Sequence, residues 1–115
     1  MTAPVTPAGS LAFEDFKKVN LCTAKILDVQ EIAGADRLWK LLIDVGAEKK
    51  EIVAGIKLHY PRETLLGKTI LVVNNLQPSV IRGVESKGML LAAKSGQQLC
   101  LVTVDSDLPA GCSVG

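Results

Sequence analysis

Residues 38–45, LWKLLIDV, set Leu41, Ile43 and Val45 on one side of an extended chain and Lys40 and Asp44 on the other. A period of two is the signature of a strand that buries one face. The same texture recurs along the chain, with turn signals between the runs. KVNLCTAKILDV, residues 18–29, alternates Val19, Leu21 and Thr23 against polar neighbours and continues through Ile26 and Val29 until AGAD breaks it. GAEKK is a hairpin-type turn into EIVAGI, and KTILVVNNL, GMLLAA and LCLVTV are further strands, the last two joined by the turn KSGQQ. LHYPRETLLG departs from the pattern: Pro61 suits the first position of a short helix, Glu63 its first turn, and Gly67 stops it. LAFEDF forms one helical turn that presses Phe13 and Phe16 onto the body, and DSDLPAGCSVG at the end reads as mostly irregular.

Five or six short strands with one small helix predict an all-β barrel or sandwich. A helix between the third and fourth strands is also the layout of an OB-fold. At 115 residues the chain suits one domain, and a domain of this size buries enough surface to fold without staples. Residues 1–10, with Pro4, Pro7 and Gly9, read as a loose tail ahead of a domain over 11–115. That tail has neither a basic nor an apolar segment of the secretory kind. No apolar run is long enough to span a membrane. Cys22, Cys100 and Cys112 are odd in number and lack CxxC spacing, so they read as free thiols in a reducing cytoplasm, with no metal or other cofactor implied.

Catalytic motifs fail on spacing. GKT at 67–69 ends like a phosphate-binding loop, but the first glycine of GxxxxGK[ST] falls at Arg62, where backbone N–H groups cannot converge on a phosphate. GVESKG is GxxSxG rather than the GxSxG of a nucleophile elbow, and His59 beside Tyr60 and Pro61 is the only histidine available as a base. Glu48, Glu51, Asp105 and Asp107 read as solvated turn charges. The residues point to no enzyme.

Nucleic-acid binding is harder to judge. The formal charge is only +1, although all 13 basic residues lie in 1–94, which carries +3 against −2 for 95–115. Aromatic platforms for base stacking are scarce: Phe13 and Phe16 read as core, and Trp39, beside Arg37 and Lys40, is either a stacking face or, the better reading, a packed core tryptophan. Recognition of RNA would rest on phosphate contacts, shape and a few hydrogen bonds. The segment IRGVESKGM, 81–89, has two readings from spacing alone. In one, Gly83 and Gly88 bring the backbone close to a ligand and display Ser86 and Lys87. In the other it is a glycine-bounded connection whose Ser86 satisfies a backbone group and whose Met89 is core.

Taken together, FEDFKKVNLCTAKILDV, GADRLWKLLIDVG, IVAGI, YPRETLLGK, VVNNLQPSVIRGVESKGMLLAA and DSDLPAG, in that order, resemble the tRNA-binding domain found at the C-terminus of many methionyl-tRNA synthetases and as stand-alone tRNA-binding proteins. The resemblance covers about residues 13–111. It implies a five-stranded OB-fold barrel with one short helix and a C-terminal extension, a homodimer, and non-catalytic binding of tRNA by shape. It also implies an aminoacyl-tRNA synthetase as a further partner. By position it assigns Arg37, Asn75, Ser86 and Met89 to the tRNA-contacting set; Arg82 and Lys87 flank them, and Lys25 and Lys40 lie on neighbouring strands. Arg37 stands where relatives usually carry lysine. Asn20 to Thr23 replaces a DLRVAK-like stretch, and Gln77 and Val80 replace basic residues of NLKPAKIRG. Fewer cations predict weaker, though still salt-sensitive, binding. A protein-interaction or chaperone-like OB-fold module is the alternative; that related branch lacks the IRGVESKGM pattern.

Overall fold

The computed structural model describes residues 9–115, so the tail expected over 1–10 lies outside the described residues up to residue 8. β1 (Leu21–Glu31) is the spine. Its alternation turns Cys22, Ala24 and Ile26 inward. A register shift between Ile26 and Asp28 then bends the strand, after which Val29 resumes the buried face. Of the residues expected inward from sequence, Val19 is exposed and Leu21 half-buried, while Cys22, Ala24 and Ile26 take the core face; Thr23, on the other face, is buried by the C-terminal residues instead. β1 pairs with β4 (Thr69–Val73) over Leu21–Lys25 and with β2 (Trp39–Asp44) from Lys25 across the bulge to Glu31; β2 pairs with β3 (Lys49–Ala54). β4 pairs in turn with β7 (Met89–Leu90). All pairings are antiparallel, and the order β3-β2-β1-β4-β7 is that of an OB-fold.

The short helix expected between β3 and β4 is α2 (Arg62–Leu65). Gly67, at φ +79°, ends it and donates its N–H to Ile26 O at 2.8 Å. Leu65 is fully buried under the curled sheet, among Ile26, Leu41, Ile43, Ile52 and Ile70. Each such side chain contributes about 1.5–3 kcal/mol on leaving water. α1 (Phe13–Phe16) forms where the sequence places a helical turn, but it buries nothing. Phe13 is 70% exposed and Phe16 is also exposed, so neither is core as expected.

The C-terminal extension is more ordered than its turn-rich composition suggests. β8 (Ala92–Ser95) and β9 (Gln98–Leu101) make a hairpin, and β10 (Ser113–Val114) pairs with the start of β1. Between them, residues 109–112 cover Thr23. Its hydroxyl donates to Pro109 O at 2.8 Å and accepts from Cys112 N–H at 2.9 Å, which buries this polar side chain with both bonds made. Gly111 sits directly on the β2–β3 turn: a Cβ there would lie 2.8 Å from Val45 O and 2.9 Å from Gly46 Cα.

Candidate nucleic-acid interface

IRGVES is neither a catalytic elbow nor an open loop. It folds as a second hairpin, β5 (Ser79–Ile81) and β6 (Val84–Ser86), with Ile81 opposite Val84. The two turn residues are Arg82, φ +52°, and Gly83, φ +81°. Positive φ at both is the type I′ turn whose twist matches a two-residue hairpin. Glycine adopts it freely; for arginine it costs on the order of 1 kcal/mol. The strands are only three residues long, and the Arg-Gly tip lacks the usual Asn-Gly signal, which is why the sequence reads here as a connection.

This hairpin lies along the free edge of β3. Ile81 and Val84 pack with Ile32, Ala35, Leu38 and Val53 into a small second core. Ser86 fastens it: Val53 N–H donates to Ser86 Oγ at 2.9 Å, and the hydroxyl donates to Gly88 O at 3.1 Å. Lys87 N–H donates to Glu51 O at 3.0 Å. At Gly88 the chain passes so close to β4 that a Cβ would sit 3.0 Å from Val73 O.

Docking the hairpin brings its tip to the loop between β1 and β2, residues 32–38. Arg37 and Arg82, distant in sequence, line one cleft of about 390 Å³ together with Asp36 and Leu38. Among the described residues neither guanidinium forms an ion pair. The other basic candidates are partnered. Lys87 pairs with Glu85 at 3.5 Å, and Lys40, on the outer face of β2, with Glu51 at 3.3 Å. Lys25 pairs with Asp107 at 3.4 Å. It sits six residues, about 20 Å of extended strand, before the end of β1 that leads to Arg37. It therefore stands apart from the cleft.

The uncharged candidates divide. Met89 is 46% exposed on β7 and is not core. Asn75 is exposed, but its amide is engaged: Asn20 N–H donates to its Oδ1 at 2.8 Å, and its Nδ2 donates to Lys18 O at 2.6 Å. Ser86 is corrected as a ligand-facing donor. It is 4% exposed, and its hydroxyl serves β3 and Gly88. The second reading of the segment, a serine satisfying a backbone group, describes it.

Trp39 offers no stacking face. It is buried, its Nε1–H donates to Tyr60 O at 2.9 Å, and the Lys57 ammonium lies 4.9 Å from its ring centre. Beside it, Asp28 accepts from its neighbour's Val29 N–H and from Arg62, and these bonds hold its carboxyl below the ordinary value. Burial pushes the Cys22 thiol up against the opposing pull of Lys50, an environment for an inert cysteine. Among the described residues no cluster of His, Cys, Asp and Glu is arranged to hold a metal, and no helix is long and apolar enough to cross a membrane.

Residues 21–113 match the family described as "Putative tRNA binding domain". Over 91% of its length the chain is 49% identical to the methionine–tRNA ligase of Thermotoga maritima, and over 90% it is 44% identical to that of Caldanaerobacter subterraneus. It spans 17% and 16% of those two enzymes. Among solved structures, a MetRS related protein from Pyrococcus horikoshii superposes with a TM-score of 0.85 at 33% identity, covering 91% of this chain and 97% of that one. The chaperone CsaA of Bacillus anthracis superposes at 0.83 and 26% identity, covering 91% and 98%.

Proposed function

The chain belongs to the tRNA-binding domain family, and from that membership we propose that it is a non-catalytic module that grips folded tRNA by charge and shape. The observation that carries this reading is the cleft between Arg37 and Arg82. Two guanidiniums with no ion pair among the described residues converge from the β1–β2 loop and the tip of the β5–β6 hairpin, the two regions with which an OB-fold meets oligonucleotides. A fixed cationic fork suits phosphate, which it can bind through two parallel hydrogen bonds. Holding arginine in a left-handed turn position is locally unfavourable, and it fits a residue kept for its charge. Met89 offers a flexible apolar contact to a ribose or base face, and Asn75 retains one amide hydrogen for a phosphate or 2′-hydroxyl. Lys87 and Lys40, outside that cleft and paired with Glu85 and Glu51, add partly neutralised charge. Ser86 acts by positioning the hairpin.

The module works in the cytoplasm as a homodimer, free-standing or attached to a methionyl-tRNA synthetase whose local tRNA concentration it raises. α1 supports the dimer. It is a four-residue helix that, among the described residues, buries none of its own and leaves both phenylalanines exposed, and a second copy would cover them. Sedimentation at micromolar concentration should report two chains per particle; a clean monomer removes that part of the reading.

Binding of folded tRNA across a salt series, with unstructured RNA as control, tests the whole. Arg37→Ala and Arg82→Ala should each weaken binding and each reduce the log–log salt slope by about 0.7–0.9. A folded protein indifferent to tRNA at low salt overturns the proposal. The likeness to CsaA favours a second reading, a protein-interaction module. Peptide affinity insensitive to salt and to Met89→Ala would be its mark.

A further inference from the structure

Arg37 lines a second cleft as well. On its other side the walls come from the β3–α2 connection, which supplies Leu58 and His59, and from the β8–β9 hairpin, which supplies Lys94 and Gln97; the volume is about 610 Å³. The composition of this wall separates it from its neighbours. The Arg37–Arg82 cleft contains Asp36, the Lys87 cleft contains Glu51 and Glu85, and the Trp39 cleft contains Asp28, Glu31 and Glu63. Among the described residues no carboxylate lines the second Arg37 cleft. Lys94 is exposed and, among the described residues, forms no ion pair.

We propose that the RNA path continues past Arg37 into this cleft, where Lys94 and the Gln97 amide hold a further phosphate of the same RNA strand. The proposal rests on the tRNA reading above and adds a site to it. Asp36 lies in the first cleft, but beyond Arg37 no described carboxylate opposes a further phosphate, so the concave wall beside the shared guanidinium attracts a polyanion already held there. Leu58 and the His59 imidazole, both exposed, line the same cleft, so an unstacked base meets an apolar and a planar surface there. The β8–β9 hairpin thereby becomes part of the binding face, although the extension also serves to complete the barrel. Its two-residue turn, Gly96–Gln97 between the paired Ser95 and Gln98, holds Gln97 at the tip.

The test is a salt-titrated binding curve for folded tRNA with the full chain carrying Lys94→Ala, Lys94→Glu or Lys94→Arg, beside Arg37→Ala. Lys68→Ala, outside every cleft named above, serves as a charge-matched control. Lys94→Ala should weaken binding about three- to tenfold and lower the slope by about 0.7–0.9, Lys94→Glu should weaken it more, and Lys94→Arg should retain it. Unchanged affinity in Lys94→Ala and Lys94→Glu, alongside a loss in Arg37→Ala, overturns the second site and leaves the first standing. An equal loss in Lys68→Ala overturns it too, because the effect would then be one of net charge. Wild-type protein that binds no tRNA removes both readings together.

Discussion

Ser86 shows how one hydroxyl sets the geometry of a binding surface without touching a ligand. It stands in for a ladder bond: Val53 N–H has no strand partner at that point of the β3 edge and uses Ser86 Oγ instead. Ser86→Ala leaves that buried donor unsatisfied, which costs about 1–3 kcal/mol. Chemical denaturation should show a loss of this size, with tRNA affinity falling because the hairpin tip wanders from Arg37. An unchanged midpoint would mean that another group holds the hairpin. Asp28 makes a different kind of prediction. Its bonds from Val29 N–H and Arg62 depress its pKa below 3.8 in the folded state. A depressed carboxylate stabilises the fold at pH values above its ordinary value, and that contribution disappears as pH falls through the folded pKa. Stability curves of wild type and Asp28→Asn should therefore differ near neutrality and converge in acid. Curves that stay parallel down to the acid transition would contradict the assignment.

The β5–β6 hairpin is the element in which stability and binding pull against each other. Type I′ turns favour asparagine followed by glycine, and here arginine occupies the asparagine position. Arg82→Asn should leave the melting temperature unchanged or raise it, by up to about 1 kcal/mol of stability, while weakening tRNA binding. A variant both less stable and weaker in binding would show that the arginine stem is needed for packing rather than for charge. From sequence, IRGVESKGM was recognisable as a special segment, because two glycines, two cations and a serine interrupt apolar runs. Its hairpin was not. Ile81 and Val84 flank the tip symmetrically, but three-residue strands carry too little periodicity to stand out until a docking surface selects them.

For the molecule as a whole, the last residues decide whether the barrel holds together. Residues 109–114 cover Thr23, pair with the start of β1 and press Gly111 against the β2–β3 turn. Gly111 is at φ +86°, with backbone on both sides of the space a Cβ would need. Gly111→Ala should destabilise by roughly 2 kcal/mol or more, from left-handed strain added to backbone overlap. Calorimetry reads this directly; a variant within about 0.5 kcal/mol of wild type would show that the extension is dispensable to the fold. A segment with so little periodicity looks irregular in isolation because its order comes from contacts with β1 and the β2–β3 turn.

The alternation of Leu41, Ile43 and Val45, the turn after Val45 and the Pro61–Gly67 helix are local patterns, and the sequence alone determined them together with the barrel they build. Local patterns carry no information about which solvent-facing groups meet. The bulge that shifts β1 by one residue, the exposure of Phe13, the enclosure of Ser86 and the meeting of Arg37 with Arg82 were all decided by tertiary structure. Each depends on how distant segments dock, and docking is set by the shape and hydrogen bonding of surfaces that exist only once the chain has folded.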